Sequence, residues 1–229
     1  MTITAPRHDI YRFVHKALRA FMSDTLNQAG SMDPHDDAER GTVLAQVREL
    51  LDFCQGHLKK EDHFVHTAME ERAPGSTRHT AGDHKDHLHW FEDLEMARRA
   101  VEQAQGEART GAAAVLYRKL ALFVGENFVH MNVEETENNE VLWRTHSDAG
   151  LIAIEHAIIA SLSPQEKLFS GRWMLPVLAP GERALVLNAM RASMPPQAFA
   201  GILTMLMQRL SDANWHKLTA ALGATALAA

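Results

Sequence analysis

The chain has 229 residues, a single cysteine and a formal net charge of −6 at pH 7. Its length suits one large domain, or an ordinary domain with an extension, and an acidic chain without a basic stripe is not expected to bind nucleic acid. One cysteine allows no internal disulfide, and no apolar run approaches the length of a membrane span, so we expect a cytoplasmic protein outside any membrane.

Helices are predicted along the whole chain. Apolar residues recur at steps of three and four, and alternating runs of β-branched residues are missing, which predicts an all-α fold. Gly75 is placed to end one helix, and the segment from Gly106 to Gly111 is expected to separate two others. Long helices joined by short links favour an up-down-up-down four-helix bundle. Its helices are predicted over 8–28, 40–72, 77–105 and 110–144.

Shorter helices are predicted after the bundle. SPQE (163–166) is a capping box with proline at the first helical position, and further helix starts are predicted at APGE (179–182), MPP (194–196) and SDAN (211–214). We place the domain boundary after residue 146, so that 1–146 form the bundle and 147–229 a helical extension. The extension is a candidate surface for a homo-oligomer.

A histidine followed four residues later by a glutamate occurs more often than the single pair, roughly, that chance predicts. The pairs are His35–Glu39, His57–Glu61, His66–Glu70 and His130–Glu134. The second and fourth continue rows of apolar residues at helical spacing, and they are therefore predicted to face the core. His35 falls in a predicted loop, and His66 lies about half a turn round the helix from His57, pointing away from the core.

Two ionised glutamates in a bundle core are unfavourable unless they are paired or bind metal. Two cations bridged by both carboxylates would remove that cost. The other two helices offer His15 and His84, each at core-facing spacing. The candidate ligands are thus His15, His57, Glu61, His84, His130 and Glu134. Nitrogen and oxygen ligands without thiolate suit iron or manganese better than structural zinc, and solvent, an oxo or hydroxo bridge or a small molecule must complete two octahedra.

Each pair taken alone also fits a surface ion pair or a hydrogen-bonded core histidine. His87 shares the face of His84 and is either a further ligand or a partly exposed neighbour. Tyr11, one turn from His15, is a candidate donor of a hydrogen bond or an electron. The other histidines are not expected to bind metal: His8, His63, His66, His79, His89, His146, His156 and His216.

In this order the residues resemble the hemerythrin-like (HHE cation-binding) family. The resemblance covers roughly residues 8–144 and consists of a helix-one histidine, HLKKE (57–61), a DH dipeptide (83–84) and HMNVEE (130–135). It implies a four-helix bundle around two non-haem iron ions. It further implies that Glu61 and Glu134 bridge the irons. The terminal ligands that it implies are His15, His57, His84 and His130.

Two positions differ from the oxygen-carrying members of that family. Those proteins have a second histidine where this chain has Leu88, and their last carboxylate lies at the spacing of Glu135. Glu134 and Glu135 therefore both stay open as the bridge, and the apolar row favours Glu134. The pattern looks more like the iron- and oxygen-responsive hemerythrin domain of an F-box ubiquitin-ligase subunit, and like many bacterial HHE proteins.

The resemblance implies a protein that binds or senses O₂, another diatomic molecule, or the iron and redox state. An open iron position also permits a redox enzyme that acts on NO or peroxide, or on an organic substrate with O₂. The third hypothesis is a structural or interaction protein whose site is vestigial or filled by zinc.

Overall fold

The computed structural model describes residues 7–223, and the chain divides into two compact units, Met1–Leu162 and Ser163–Ala229. All regular structure within the described residues is helical, which confirms the all-α prediction. The helices of the first unit are α1 (Arg12–Ser31), α2 (Asp37–Lys60), π1 (Glu61–His66), α3 (Thr67–Arg72), α4 (Arg78–Gln103), α5 (Gly106–Val133), π2 (Glu134–Asn138), α6 (Asn139–Thr145) and α7 (Asp148–Ser161). Those of the second unit are α8 (Pro164–Val177), α9 (Pro180–Ser193), α10 (Pro196–Arg209) and α11 (Asp212–Leu222).

Four long helices, α1, α2, α4 and α5, form the bundle. Each packs against two of the others, because α1 contacts α2 and α5, and α4 contacts the same two helices. α4 and α5 run antiparallel: His84, near the start of α4, meets His130, near the end of α5, and the mid-helix residues Asp93 and Lys119 pair at 2.7 Å. The core between them is almost entirely apolar and fully buried. It includes Leu18, Phe21, Val47, Leu50, Leu94, Leu116, Leu120 and Phe123.

One link between helices, the one from α4 to α5, is shorter than predicted. Gly75 has φ +84°, the left-handed conformation expected of a glycine after a helix end. Gly111, by contrast, lies inside α5, and only residues 104–105 separate α4 from α5. The prediction of a break up to Gly111 was wrong because one glycine costs a helix only about 1 kcal/mol, less than the packing of a long helix returns.

Two π-helical segments interrupt the bundle helices, and each begins at a candidate bridging glutamate. π1 starts at Glu61, directly after α2, and π2 starts at Glu134, directly after α5. A π-turn uses i→i+5 hydrogen bonds and is therefore wider than an α-turn, and such turns are concentrated at functional sites. After each segment the helix continues, as α3 and α6, with its side chains rotated relative to an unbroken α-helix.

Helix α7 packs at the end of the bundle within the first unit. Its Leu151 is buried in an apolar cluster with Ile10, Tyr11, Val65 and Met69. This packing extends the compact unit past residue 146, since α7 covers apolar side chains of π1 and α3. The domain boundary placed after residue 146 stays a prediction.

The second unit begins each helix where the sequence predicted it. Ser163 and Glu166 form the reciprocal capping box, and Ser211 accepts a hydrogen bond from the backbone of Asn214. α9 and α10 start at Pro180 and Pro196. No helix in the described part of the chain is long and apolar enough to cross a bilayer.

Glu70, the glutamate of the His66–Glu70 pair, stabilises the link between α3 and α4. Its carboxylate accepts hydrogen bonds from the backbone of Gly75 (2.6 Å) and from the backbone and hydroxyl of Thr77 (3.0 and 2.7 Å). These donors lower the pKa of Glu70 to about 2.

Because a lowered carboxyl pKa stabilises the fold above the unfolded value, we expect Glu70→Gln to unfold a few degrees below wild type at pH 7. The wild-type advantage should disappear as the pH falls from about 4.5 to 2. Thermal unfolding followed by circular dichroism checks this. Equal unfolding temperatures at neutral pH would contradict it, and exposed Glu71→Gln is the control.

Candidate metal centre

All six candidate ligands from the sequence come together inside the bundle. Glu134 and His15 are 0% exposed, and Glu61 is 4% exposed. His84 and His130 are also buried, whereas the side chain of His57 keeps 16% exposure. Their ring nitrogens and carboxylate oxygens form two groups that could each hold a cation, and the two groups share Glu61.

The first group contains His15, His57 and Glu61, from α1, α2 and π1. Glu61 Oε1 lies 2.9 Å from His57 Nε2 and 3.6 Å from His15 Nε2. Glu134 Oε2 is 3.4 Å from the same nitrogen of His15. Two imidazole nitrogens and one carboxylate oxygen therefore form this group, and Glu134 contacts it through His15.

The second group contains Glu61, His84, His130 and Glu134. Here the other oxygen of Glu61, Oε2, lies 3.7 Å from His84 Nε2. Glu134 Oε1 lies 3.8 Å from the same nitrogen of His84. His130 Nε2 is 3.4 Å from Glu134 Oε2. The two oxygens of Glu61 therefore face different groups. Glu134 Oε2 lies near His15 of the first group and near His130 of the second.

The chemistry of these atoms fits a metal. Buried polar atoms are normally hydrogen-bonded, and each exception requires an explanation. Five unpartnered buried atoms belong to this cluster, among those of the described residues: His15 Nε2, His57 Nε2, Glu61 Oε1 and both carboxylate oxygens of Glu134. His57 Nε2 and Glu61 Oε1 are 2.9 Å apart but are not aligned as donor and acceptor. Imidazole nitrogens and carboxylate oxygens that converge on one space are the ligands that a cation requires.

Carboxylates on the outside of the cluster hold three of the imidazoles. Glu135 lies 3.0 Å from His15 Nδ1, Asp62 lies 2.7 Å from His84 Nδ1, and Asp83 lies 3.0 Å from His130 Nδ1. A carboxylate on Nδ1 fixes the ring so that Nε2 points inward, and this arrangement is common among metal-binding histidines. Asp62 and Asp83 were not predicted to orient these rings, although each lies next to a candidate ligand in the sequence, Glu61 and His84 respectively.

In the cluster without metal, neighbouring carboxylates and imidazoles shift each other's pKa values. Burial would lower the pKa of His15, but the carboxylates of Glu135 and Glu61 outweigh it and raise the pKa to about 9. Burial would also lower the pKa of His130, but the carboxylates of Glu134 and Asp83 outweigh it and raise the pKa to about 9. Against burial and the nearby Glu61, the imidazoles of His130 and His84 lower the pKa of Glu134 to about 2.

Glu134, rather than Glu135, points into the cluster. Glu134 is fully buried, whereas Glu135 accepts hydrogen bonds from the two terminal guanidinium nitrogens of Arg19, at 2.5 and 3.0 Å, and contacts His15 Nδ1. The π2 segment begins at Glu134.

His87 lies beside the cluster and faces its cavity. It is 5% exposed, and its ring is 4.8 Å from that of His130, edge to face. Burial, together with the neighbouring His130 and His84, lowers the pKa of His87 to about 4. Leu88, at the position where oxygen carriers have a histidine, is 43% exposed and points away from the cluster.

The predicted orientation of His66 was wrong. His66 is buried, its ring stacks on that of His84 at 4.9 Å, and its Nδ1 lies 3.0 Å from Asp62. The prediction assumed an α-helix between His57 and His66, and the wider π1 turn removes part of the rotation. His66 therefore supports the ring of His84 from outside.

The remaining histidines lie outside the two groups. His146 is buried against Thr145, and His8 pairs with Glu155 at 2.9 Å. The exposed ones are His35, His63, His79, His89, His156 and His216.

Tyr11 lies against His15, with ring centroids 5.0 Å apart, and is 1% exposed. Its hydroxyl accepts a hydrogen bond from Asn138 at 3.2 Å. Burial and the charges of Glu134 and Glu61 raise the pKa of Tyr11 well above its ordinary value, so the phenol stays protonated.

Comparison with known proteins agrees with this geometry. The model of the hemerythrin HHE cation-binding domain matches residues 8–142, which is more than half of the chain and spans every residue of the cluster. No curated protein and no solved structure gives a significant match. The chain therefore belongs to the hemerythrin HHE cation-binding family, and its His/Glu cluster is that of a metal-binding member.

Proposed function

We propose that the protein is a non-haem di-iron protein that binds or senses O₂ or another diatomic molecule. One iron would be held by His15 and His57, and the other by His84 and His130. Glu61 and Glu134 would bridge them. When bound, the irons supply a redox couple and open coordination positions, because six side chains do not complete two octahedra.

The observation that carries the proposal is the placement of Glu61. Its two oxygens face different imidazoles, Oε1 toward His57 at 2.9 Å and Oε2 toward His84 at 3.7 Å. A single structural zinc would use four tight ligands and would leave the second pair of imidazoles unexplained.

The cavity at the centre of the cluster favours a small ligand over an organic substrate. It has a volume of about 20 Å³, which is room for roughly one water molecule. The candidate ligands that line it are His57, Glu61, His84, His130 and Glu134, and the other lining residues are His87, Asn127, Leu18, Cys54, Leu58, Phe91 and Met131. A cavity of this size has no room for a bulky organic molecule, and the low pKa of His87 keeps its imidazole uncharged at neutral pH.

Metal quantitation with an optical spectrum tests the proposal. We expect two irons per chain after expression in iron-rich medium, and charge-transfer absorption from a dinuclear ferric centre. No iron, or one zinc per chain, would contradict it. Stopped-flow mixing of the reduced protein with O₂, NO and peroxide then separates the functions: a reversible adduct supports binding or sensing, and continued consumption supports a redox enzyme.

Asp83→Ala should weaken metal binding without removing a ligand. His130 would lose the acceptor that orients its Nδ1, and loss of such a partner typically lowers metal affinity about 10- to 100-fold. Competition with a chromogenic chelator measures the change.

Asp86→Ala is the matched control for this variant, because Asp86 is exposed on the same helix. An unchanged metal affinity in Asp83→Ala would mean that the Asp83 carboxylate does not orient His130 for metal binding.

A further inference from the structure

The outward side of α5 carries a row of exposed apolar residues. Val115, Leu122 and Val129 are 40%, 60% and 67% exposed. Single exposed apolar residues are common on protein surfaces. These three, however, recur at seven-residue spacing and therefore form one stripe on a helix, as in a helix–helix seam.

Charged residues within this stripe are placed symmetrically about Leu122. Arg118 lies four residues before Leu122, and Glu126 lies four residues after it. Val115 and Val129 likewise lie seven residues before and after it. We call these five residues the outer α5 face.

We propose that the outer α5 face binds the same face of a second copy of this chain, antiparallel, across a twofold axis through Leu122. A twofold interface requires a surface complementary to itself. In this arrangement residue 122 − k of one copy meets residue 122 + k of the other. Leu122 then meets Leu122, Val115 meets Val129, and Arg118 meets Glu126 in both directions.

The side chains of this face are available for those contacts. Arg118 has no hydrogen bond or ion pair within the described residues 7–223. Glu126 is already oriented, because its Oε2 accepts a hydrogen bond from the indole of Trp90. The guanidinium of Arg118 from the second copy would bind the other carboxylate oxygen of Glu126, Oε1.

Backbone shape allows close approach. A Cβ added at Gly125 or at Gly111 would meet no atom within 4 Å, so both glycines leave open space beside the stripe. A second helix can therefore come close to α5 along much of its length. Because a helix pair is a small interface, we expect a dimer in the micromolar range rather than an obligate one.

Sedimentation velocity over about 1 to 100 µM tests the proposal on the full chain. We expect wild type to dimerise with increasing concentration. Leu122→Glu places like charges at the centre of the seam and should weaken the dimer by at least about 30-fold. Arg118→Glu faces Glu126 with a like charge and should weaken it by about tenfold.

Charge reversal of both residues separates this geometry from general surface attraction. Arg118→Glu combined with Glu126→Arg restores opposite charges across the axis and should recover most of the affinity lost in the single variant. A double variant that stays as weak as Arg118→Glu would overturn the antiparallel pairing.

Leu185→Glu is the matched control, since Leu185 is an exposed leucine (66%) in the second unit. It should dimerise like wild type. A monomeric wild type at all concentrations, or a dimer lost in Leu185→Glu but kept in Leu122→Glu, would overturn the proposal; the latter would assign the contact to the C-terminal helices. Metal content should be unchanged in Leu122→Glu, so the outcome is independent of the proposed function.

Discussion

If the proposed dinuclear centre is present, Glu61→Ala is expected to remove both metal ions and His57→Ala only one. Glu61 contributes an oxygen to each of the two ligand groups, whereas His57 belongs to the first group only. Loss of a bridging ligand should lower the affinity of both positions by at least about 100-fold, more than the loss of an orienting carboxylate.

The measurement is metal per folded chain after gel filtration, with circular dichroism to verify the helical fold. Glu49→Ala is the control, because Glu49 is an exposed glutamate on α2, which carries His57 and ends directly before Glu61. Two metals retained in Glu61→Ala would mean that Glu61 is not a bridge. Equal losses of metal in Glu61→Ala and His57→Ala would mean that the two metal positions fill only together. That result would contradict the prediction that Glu61 serves both positions and His57 only one.

The sequence was sufficient to locate the cluster because its signal is periodic. His57 and Glu61 follow Val47, Leu50 and Cys54 at helical spacing, and a row that is apolar up to that point must face the core. Helix starts in the second unit were equally predictable, since proline and serine caps act through their immediate neighbours.

The π-helical segments could not be predicted, because they depend on tertiary packing. Neither EDHFVH (61–66) nor EETEN (134–138) contains a glycine or proline that would disrupt an α-turn. Glu134 faces the core as α-helical spacing predicts, because α5 is α-helical up to Val133, whereas the wider π1 turn brings His66 against His84. An α-helical extrapolation therefore placed Glu61 correctly and His66 on the wrong side.

The carboxylates that orient the imidazoles were missed for a related reason. Asp62 reaches His84 from π1, and Glu135 reaches His15 from π2, so both contacts join different helices. Such pairs depend on the vertical alignment of neighbouring helices to within about one turn. Sequence spacing on a single helix does not contain that information.

Removal of the metal should lower the unfolding temperature by about 10 °C at neutral pH. A ligand present at roughly a thousand times its dissociation constant contributes about 4 kcal/mol of stability, and 1 kcal/mol corresponds to about 2–4 °C in a chain of this size. Differential scanning fluorimetry of the isolated protein, before and after verified chelation, measures the difference. An unchanged temperature would show that the cluster folds equally well without a cation.

The effect of pH should separate the metal-free from the metal-bound protein. In the metal-free protein the pKa of His15 and of His130 is raised from 6.5 to about 9, because protonated rings pair with Glu135, Glu61 and Glu134. A raised folded-state pKa gives stability that is complete below about pH 6.5 and is lost as the pH rises through about 9. The metal-free protein should therefore become less stable over that interval.

The metal-bound protein should not show this loss, because its imidazoles bind the cations as neutral bases. The gap between the two unfolding temperatures should consequently widen from pH 6.5 to 9. His216→Gln, at an exposed histidine of the second unit, should leave both curves unchanged. A gap that stays constant or narrows over this interval would mean that the imidazoles of His15 and His130 do not exchange protons for metal.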